Sequence, residues 1–374
     1  MTGQCGTVWI WQDIVSPHMV GLAAALVQRG CDVVYVAEQE MSSERADQGW
    51  VRPDLGGVAL VLAPSAEAIR ALVRGAPSDS IHICQGMRGN GRIGMAQSAL
   101  AARRLRQWVM METVDDAGVI GVIKRLIYRV LSHRMKDHLE GVLAIGRRTP
   151  DWIAARGLAR SDVFPFAYFL PDIAYESIPP TNMNHRFRFL YVGQFIRRKR
   201  LDMLIEALAD IKHYDFELTV IGSGPLEGEL RALAQSKLFE RVHWLGCLSM
   251  PTVHKEMAKA DCLVLPSRHD GWGAVVSEAL MRGTPVIASD ACGASVVVKA
   301  SGVGGVFCAN DRDGLTARLR RAIDERQPSL QQRRRIANWA RCLGAEAGAD
   351  YFLSIAAYVA GKGPLPAPPW QVSG

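Results

Sequence analysis

Two carboxylates lie eight positions apart in a stretch that spans residues 262–290 and reads CLVLPSRHDGWGAVVSEALMRGTPVIASD. The apolar run at its start stops at Pro266, and helical spacing begins shortly afterwards. The sequence therefore predicts a strand, a loop that contains Asp270 and a helix that contains Glu278. In open parallel sheets, ligands bind at the carboxyl ends of strands, beside helix N-termini. We predict a ligand site here.

A second loop after a predicted strand is strongly basic. The segment FLYVGQFIRRKRLD, residues 189–202, passes from an apolar run through Gly193 to four consecutive cations, Arg197, Arg198, Lys199 and Arg200. Cations bind a diphosphate, and arginine does so through a bidentate fork. A solvated basic turn is the alternative, but the position beside the first loop favours ligand binding.

A third loop is rich in glycine. The segment IGSGPLE, residues 221–227, ends a predicted strand with Gly222 and Gly224, which permit close backbone approach to a ligand. Its third fingerprint position holds Glu227 instead of glycine, so it is a poor dinucleotide-binding motif. An NAD-dependent oxidoreductase is therefore disfavoured.

Length and composition suit a two-domain α/β protein. The chain has 374 residues, 49% hydrophobic and 22% charged, within the range of soluble proteins. A formal charge of +7 favours acidic partners such as phosphorylated ligands, while no nucleic-acid motif accompanies it. Eight cysteines without a C-x-x-C pair lead us to expect reduced thiols and a cytoplasmic location. We expect neither a signal peptide nor a membrane span.

Strands and helices alternate on both sides of a proline-rich segment. We therefore expect two doubly wound Rossmann-like domains with parallel sheets and a ligand cleft between their strand ends. The predicted boundaries are 1–170 for the first domain, 171–186 for a linker and 187–344 for the second domain. Residues 345–374 are expected to form a helix that crosses back to the first domain, followed by a loose tail.

Taken together, the C-terminal motifs resemble the nucleotide-sugar-binding half of retaining GT-B glycosyltransferases of family 4. The resemblance runs in register over about 190–300, through YVGQFIRRKRLDMLIEAL, VIGSGPLEGELRALA, VHWLGCLSMPTVHKEMAKADCLVLPS and DGWGAVVSEALMRGTPVIASD. The N-terminal half resembles the family only loosely. The resemblance implies a GT-B fold, with the acceptor on the first domain and the donor on the second.

The resemblance also implies roles for the two carboxylates. Glu278 would accept hydrogen bonds from both ribose hydroxyls, and Asp270 would hold hydroxyls of the transferred sugar. The family carries glutamate at the position of Asp270, so we expect this shorter side chain to alter sugar preference or geometry.

The donor phosphates would meet several groups of the second domain. Lys199 matches the family's phosphate-binding lysine. Gln194 replaces the family's arginine, and Arg198 is expected to compensate. Glycines 193, 222 and 224 lie near the nucleotide by this resemblance. Backbone amides at the positive end of the helix would face the sugar and phosphates, which adds Gly271, Trp272, Gly273, Ala274 and Val275 to the predicted donor site.

The acceptor side offers two candidates. The family often has a histidine after the strand matched by 108–111, where this chain reads METVDDAG. Glu112 is therefore our candidate near the anomeric carbon, to orient the acceptor hydroxyl or take its proton, with Asp115 and Asp116 as its neighbours. His18 precedes the first long helix, where the family carries a phosphate-facing loop, and we expect it in the cleft; the alternative is an incidental histidine.

No metal is expected. The triplet Asp311-Arg312-Asp313 resembles a metal-binding D-x-D, but it directly precedes a predicted helix, so helix capping is the better interpretation. Cations and a helix terminus would take the place of a metal, and no cofactor is predicted.

Residues 101–136 contain three acids and eight cations. The cations are Arg103, Arg104, Arg106, Lys124, Arg125, Arg129, Arg134 and Lys136. Those from Lys124 onward lie in the predicted helix 119–139, where they are interleaved with large aliphatic residues. That pattern suits a helix on an anionic membrane surface, near a lipid-linked acceptor. In the alternative, the apolar positions face the core and the basic face is solvated.

The resemblance, together with these residues, implies a retaining, metal-independent hexosyltransferase that uses a UDP- or GDP-linked sugar. The acceptor would be a glycan or a lipid-linked molecule, in bacterial cell-surface polysaccharide or lipopolysaccharide biosynthesis. The expected location is the cytoplasm, with peripheral attachment to the inner face of the membrane as an extension. Two alternatives stay open: a non-catalytic nucleotide-sugar-binding scaffold, and an inverting or epimerising GT-B enzyme.

Overall fold

The computed structural model describes residues 6–42, 52–89, 91–171 and 186–372. The first domain is built on a seven-stranded sheet in the order β3-β2-β1-β4-β5-β6-β7, and all of its strand pairs are parallel. Its strands are β1 (Thr7–Ile14), β2 (Asp32–Gln39), β3 (Ala59–Leu62), β4 (Ile81–Gln85), β5 (Arg106–Glu112), β6 (Leu139–Ile145) and β7 (Val163–Phe166).

The second domain is built on a six-stranded parallel sheet in the order β10-β9-β8-β11-β12-β13. Its strands are β8 (Phe187–Val192), β9 (Phe216–Ile221), β10 (Val242–Gly246), β11 (Cys262–Leu265), β12 (Val286–Ser289) and β13 (Gly305–Phe307).

Helices connect the strands of both sheets. The first domain contains α1 (Pro17–Gln28), α2 (Ala66–Gly75), α3 (Ile93–Ala102), α4 (Gly118–Met135) and α5 (Thr149–Ala154). The second contains α6 (Leu201–Asp210), α7 (Glu227–Leu238), α8 (Met250–Lys259), α9 (Ala274–Met281), α10 (Ser295–Ser301), α11 (Arg312–Asp324) and α12 (Leu330–Trp339). The chain ends with α13 (Ala345–Val359) and the short α14 (Pro369–Val372).

The central strands carry continuous apolar runs because helices cover both faces of each sheet. All four residues of β11, CLVL, are buried, and so are all four of β12. Leu263 pairs with Val286 in the parallel register that joins these strands. Strand β11 also pairs with β8 in parallel. The loops after β8 and β11, which are the two predicted ligand loops, therefore lie side by side at one edge of the sheet.

Helix α13 packs against α1 of the first domain. The Arg29 guanidinium donates two hydrogen bonds to the Asp350 carboxylate, at 2.8 and 2.9 Å. The Tyr351 hydroxyl donates to the carbonyl of Pro165 at 3.0 Å. The last long helix therefore lies on the first domain, although it follows the second in sequence.

The structure differs from the sequence-based expectations in a few places. The expected loose tail is wrong for residues 369–372, because Trp370 of α14 is buried in the core and its ring lies 6.3 Å from that of Phe169. Strand β7 was not predicted, because it is short and contains Pro165, which an edge strand tolerates. Helix α4 ends at Met135, and β6 already begins at Leu139. Cys31 is disulfide-bonded, so the expectation of reduced thiols is wrong for this residue. Residues 172–185 of the predicted linker lie outside the described residues.

Within the described ranges, none of the helices is both long and apolar enough to pass through a membrane.

Candidate active site

A cleft of about 680 Å³ lies between the carboxyl ends of the two sheets. Both domains line it. The first contributes Gln12, Ser16, His18, Gln85, Glu112 and Tyr168, among others. The second contributes Gly193, Arg198, Lys199, Gly222, Asp270, Gly271, Gly273, Ala274, Val275 and Glu278, among others. Most residues predicted for the donor site and both acceptor-side candidates therefore share one cavity.

Lys199 and Asp270, which both line the cleft, form an ion pair. Lys199 ends a short 3-10 turn after β8, and its Nζ donates to Asp270 Oδ2 at 2.6 Å. The Ser267 hydroxyl lies 3.4 Å from the same oxygen. A charge-assisted hydrogen bond of this length is among the stronger polar contacts in proteins. The structure thus joins the basic loop to the carboxylate loop.

Backbone hydrogen bonds join the carboxylate loop, which contains Asp270, to the segment after β12. The amide of Asp270 donates to the carbonyl of Ala291 at 3.2 Å, and the amide of Gly293 donates to the carbonyl of Asp270 at 2.9 Å. Gly273 then enters α9 with φ of +88°, and a Cβ there would lie 2.8 Å from Cys292 Sγ. Only glycine suits this combination of conformation and close packing. These hydrogen bonds and this close packing define the backbone conformation of the loop.

Glu278 lies between two histidines that come from different domains. Its side chain is largely buried, with 6% of the residue exposed. His18 Nε2 of α1 lies 3.8 Å from one carboxylate oxygen, and His254 Nε2 of α8 lies 3.9 Å from the other. Burial lowers the pKa of His254, more than the attraction of the Glu278 charge raises it. His254 is thus a neutral neighbour of this carboxylate at neutral pH.

Glu112 reaches the carboxylate loop from the opposite domain. It is the last residue of β5, and a Cβ added to Gly271 would lie 1.9 Å from Glu112 Oε2. Tyr168 hydrogen-bonds to the Glu112 carboxyl. Burial, and then the nearby Asp270 charge, raise the pKa of Glu112, against the opposing effects of Tyr168, His18 and Lys199. The group is partly protonated at a higher pH than an ordinary glutamate.

The remaining cationic and glycine positions shape the phosphate side of the cleft. Arg198 Nη1 donates to the carbonyl of His269 at 3.0 Å, which holds this guanidinium against the carboxylate loop. Gly222 has φ of +133°, and a Cβ there would lie 2.0 Å from the Gly193 carbonyl oxygen. The two glycine loops therefore touch each other beside the cleft.

Two residues predicted for the donor site, Trp272 and Gly224, are not among the residues that line the cleft. The Trp272 side chain is fully buried, and its Nε1 donates to Ser277 Oγ at 3.1 Å. The indole packs in the core because it lies beneath the loop, so only its backbone is positioned to meet a ligand. Gly224 lies outside the cleft lining; a Cβ there would lie 2.7 Å from the backbone of Phe195, so this glycine serves loop packing.

Two acidic segments that the sequence analysis considered have structural roles. Asp116 Oδ2 accepts hydrogen bonds from Trp152 Nε1 at 2.9 Å and from Arg156 at 3.0 Å. Asp311 caps α11 by accepting from the amide of Gly314 at 2.9 Å, as predicted. Among the described residues, no cluster of three or more His, Cys, Asp or Glu side chains forms a candidate metal site.

The sequence-based prediction missed His254, Tyr168 and Gln85. His254 lies inside a segment that carried the family resemblance, but the helical pattern alone does not show that it faces Glu278. Tyr168 follows β7, whose strand was not recognised. Gln85 is the last residue of β4, and its position at a strand end is the signal that could have identified it.

Part of the chain is similar in sequence to known proteins. Residues 178–341, less than half of the chain, match the family model described as glycosyl transferases group 1. An uncharacterized glycosyltransferase of Methanocaldococcus jannaschii is 35% identical over 109 residues, which are 29% of this chain and 30% of the relative. The lipopolysaccharide 1,6-galactosyltransferase of Salmonella typhimurium is 31% identical over 153 residues, 40% of this chain and 42% of the relative. The matches thus span less than half of these relatives' lengths.

The whole chain shares its fold with solved structures. The Anabaena protein Alr3699/HepE, crystallised in complex with UDP, aligns with a TM-score of 0.71 at 13% identity, over 95% of this chain and 100% of that chain. The apo form of the lipopolysaccharide outer core galactosyltransferase WaaB aligns with a TM-score of 0.69 at 17% identity, over 94% of this chain and 99% of that chain. The predicted α/β fold of GT-B type, with two Rossmann-like domains that face each other across a cleft, is confirmed.

Proposed function

We propose that this protein is a retaining glycosyltransferase that moves a sugar from a nucleoside-diphosphate donor to a hydroxyl of a glycan or a lipid-linked acceptor. The observation that carries the proposal is the convergence of the Lys199–Asp270 ion pair and Glu278 in one cleft, opposite Glu112 and His18 of the other domain. The likeness of residues 178–341 to glycosyltransferases supports it.

The donor nucleotide would bind the second domain. A carboxylate has two oxygens and can accept hydrogen bonds from both hydroxyls of a ribose diol, which suits the buried Glu278. Cys247, Leu248 and Met250 line the same cleft and would meet the base. The UDP complex of the Anabaena structure supports a nucleotide in this cleft, and a UDP- or GDP-linked sugar is the proposed donor.

The donor diphosphate would be stabilised without a metal. Lys199 carries three N–H donors, so it can keep its bond to Asp270 and also donate to a phosphate oxygen. Arg198 and the amide end of α9 add positive potential. Charge that develops on the departing diphosphate is where such fixed donors accelerate reaction most.

The sugar and acceptor would meet between the domains. Asp270 would hold hydroxyls of the transferred sugar. Glu112 would orient the acceptor hydroxyl, whose oxygen forms the new bond to the anomeric carbon as the bond to the phosphate oxygen breaks. The acceptor proton passes to Glu112 or to the departing phosphate. His18 lies where it contacts the donor side from the first domain.

The proposed setting is bacterial cell-surface polysaccharide or lipopolysaccharide biosynthesis in the cytoplasm. Similarity to the Salmonella lipopolysaccharide galactosyltransferase supports the lipopolysaccharide part of this proposal.

A turnover assay tests the proposal. The purified chain is incubated with a panel of UDP- and GDP-linked hexoses together with a panel of glycan and lipid-linked acceptors. Released nucleoside diphosphate is measured, and proton NMR of the glycosylated acceptor determines its anomeric configuration. We expect release from one donor class and an anomeric configuration that matches the donor. Binding without release would indicate a scaffold, an inverted product would indicate an inverting enzyme, and either result would overturn the proposal.

A further inference from the structure

Helix α4 presents a large apolar face to solvent. Seven aliphatic side chains on it are 38–81% exposed, namely Val119, Ile120, Val122, Ile123, Leu126, Ile127 and Val130. At 3.6 residues per turn, positions 119, 123, 126 and 130 form one continuous stripe along the helix. Scattered exposed aliphatic residues are ordinary, but a contiguous patch of this kind marks an interaction surface.

The inner face of α4 explains why the aliphatic residues point outward. The buried residues of the helix are Gly121, Tyr128 and Ser132. A Cβ on Gly121 would overlap the carbonyl of Asp116, so the helix lies tightly against its own preceding loop. The Tyr128 ring packs edge-on against Trp152 at 4.9 Å. The docked face is small: Tyr128 belongs to a buried apolar cluster, and Leu131 and Met135 pack against that cluster. The interpretation of the apolar positions as a core face is therefore wrong for the seven exposed aliphatic residues.

Positive charge accompanies the apolar stripe. The sequence of α4, GVIGVIKRLIYRVLSHRM, contains four Lys and Arg residues and no acid. Arg129 and Arg134 are exposed, and helical geometry places them on either side of the stripe. Lys136 follows directly and is also exposed. Cations beside an exposed aliphatic face are the combination that binds anionic lipid.

We propose that α4 lies in the surface of an anionic lipid bilayer, with the stripe among the upper acyl chains and the flanking arginines at headgroup phosphates. The positive charge beside the stripe favours an anionic bilayer over a second copy of the chain. A second copy of the chain docked through the same face would place these cations against one another. An anionic bilayer satisfies both the aliphatic and the cationic groups.

The position of α4 gives the contact a consequence, which rests on the proposed function. The helix begins six residues after Glu112, and a chain of that length spans at most about 22 Å. The acceptor side of the cleft thus lies close to the bilayer surface. An acceptor whose reactive sugar is anchored by a lipid would reach Glu112 from there.

Vesicle co-flotation of the full chain tests the contact without any need for activity. Two kinds of vesicle are compared, phosphatidylcholine alone and phosphatidylcholine mixed with phosphatidylglycerol. We expect binding only to the mixed vesicles, weakening as salt is added. Leu126→Gln should weaken binding about tenfold or more. The double variant Arg129→Gln with Arg134→Gln should weaken it about thirtyfold.

Matched controls are available elsewhere on the surface. Leu126 and Leu365 are 62% and 61% exposed, so Leu365→Gln removes an equivalent aliphatic group outside α4. Arg320→Gln with Arg334→Gln removes two exposed arginines outside α4. Both controls should float as the unaltered chain does. Equal loss in controls and α4 variants, equal binding to both vesicle types, or no binding at all would overturn the proposal.

Two further measurements separate the outcomes. Light scattering that shows a dimer dissociated by Leu126→Gln would also overturn the proposal, because the face would then be a self-interface. Nucleoside diphosphate release is measured in parallel on the same samples. Absent vesicle binding with intact release defeats only the bilayer contact. Intact vesicle binding with absent release defeats only the proposed function.

Discussion

Lys199 Nζ lies 2.6 Å from Asp270 Oδ2, although Asp270 is one methylene shorter than the glutamate that the resembled family carries there. The contact forms because the loops after β8 and β11 leave neighbouring strands at the same edge of the sheet. The pair links the group that would meet the phosphate to the group that would meet the sugar. Substitution of either Lys199 or Asp270 should therefore change the rate of donor turnover.

Lys199→Met should reduce donor turnover about 10²- to 10³-fold, because removal of a fixed donor to developing charge has an effect of that size. The matched control is Arg197→Met, which removes an exposed cation from the same four-residue run. The measurement is the rate of nucleoside diphosphate release at saturating donor. Similar rates for the two variants would remove Lys199 from the reaction.

Asp270→Glu should change the preference between donor sugars. One methylene of difference between two substrates is worth about 10- to 200-fold in an apolar pocket, and we expect a change of that order when the carboxylate moves by the same length. The measurement is the ratio of kcat/KM values for UDP-glucose and UDP-galactose, or for the corresponding GDP-hexose pair. A ratio that stays the same, with activity retained, would mean that sugar preference is set elsewhere.

Glu112→Gln should stabilise the folded protein at neutral pH while it impairs transfer. The raised pKa of Glu112 means that the folded state binds this proton more tightly than the unfolded state does. The carboxyl therefore costs stability as pH rises from its unfolded value of about 4.3 through its folded pKa. Glutamine has no charge to bury, so the variant's advantage in Tm should grow over that window and vanish below it.

The pH dependence distinguishes this effect from simple repacking. The control is Glu229→Gln, which alters an exposed glutamate of α7. Tm is measured for each variant and the unaltered chain from pH 4 to pH 8. A difference for Glu112→Gln that is constant with pH would contradict the buried-carboxylate account.

Gly273→Ala should destabilise the protein by about 1–3 kcal/mol, because alanine is strained at φ of +88° and its Cβ would meet Cys292 and Leu265. Gly228→Ala is the matched control, since that helical glycine has open space around its Cβ position and should gain about 0.5–1 kcal/mol. Thermal unfolding of both variants checks the pair. Equal Tm values would mean that the loop before α9 adapts.

Much of the fold followed from the sequence because buried parallel strands read as short apolar runs that end at turn residues. Strand β11 and the helix that contains Glu278 were identified in this way. Strand β7 was not, because Pro165 and a length of four residues remove the usual pattern. Its omission also hid Tyr168, which hydrogen-bonds to Glu112.

The sequence predicted site residues that lie in loops at strand ends. It did not predict whether an individual side chain points into the cleft or into the core. Asp270 and Lys199 lie in loops that follow strands, Glu112 ends β5, and Glu278 lies near the start of α9. All four therefore meet at the cleft edge. The sequence around Trp272 does not show where its indole lies, whereas in the structure the buried Nε1 donates to Ser277 Oγ. Only the packed structure shows such a choice.

The central claim is that Glu278 holds the ribose of a nucleoside-diphosphate sugar. The most direct measurement is a thermal-shift titration of the unaltered chain, Glu278→Gln and Glu229→Gln with UDP, GDP and their hexose derivatives. A ligand at a hundredfold excess over its Kd stabilises by about 2.7 kcal/mol. Loss of one charged hydrogen-bonding group costs about 1.5–3 kcal/mol of affinity.

The account predicts that at least one of these nucleotides raises the Tm of the unaltered chain and of Glu229→Gln. The same nucleotide should bind Glu278→Gln at least about tenfold more weakly. An equal rise in Tm for all three proteins, or no rise with any nucleotide, would contradict it.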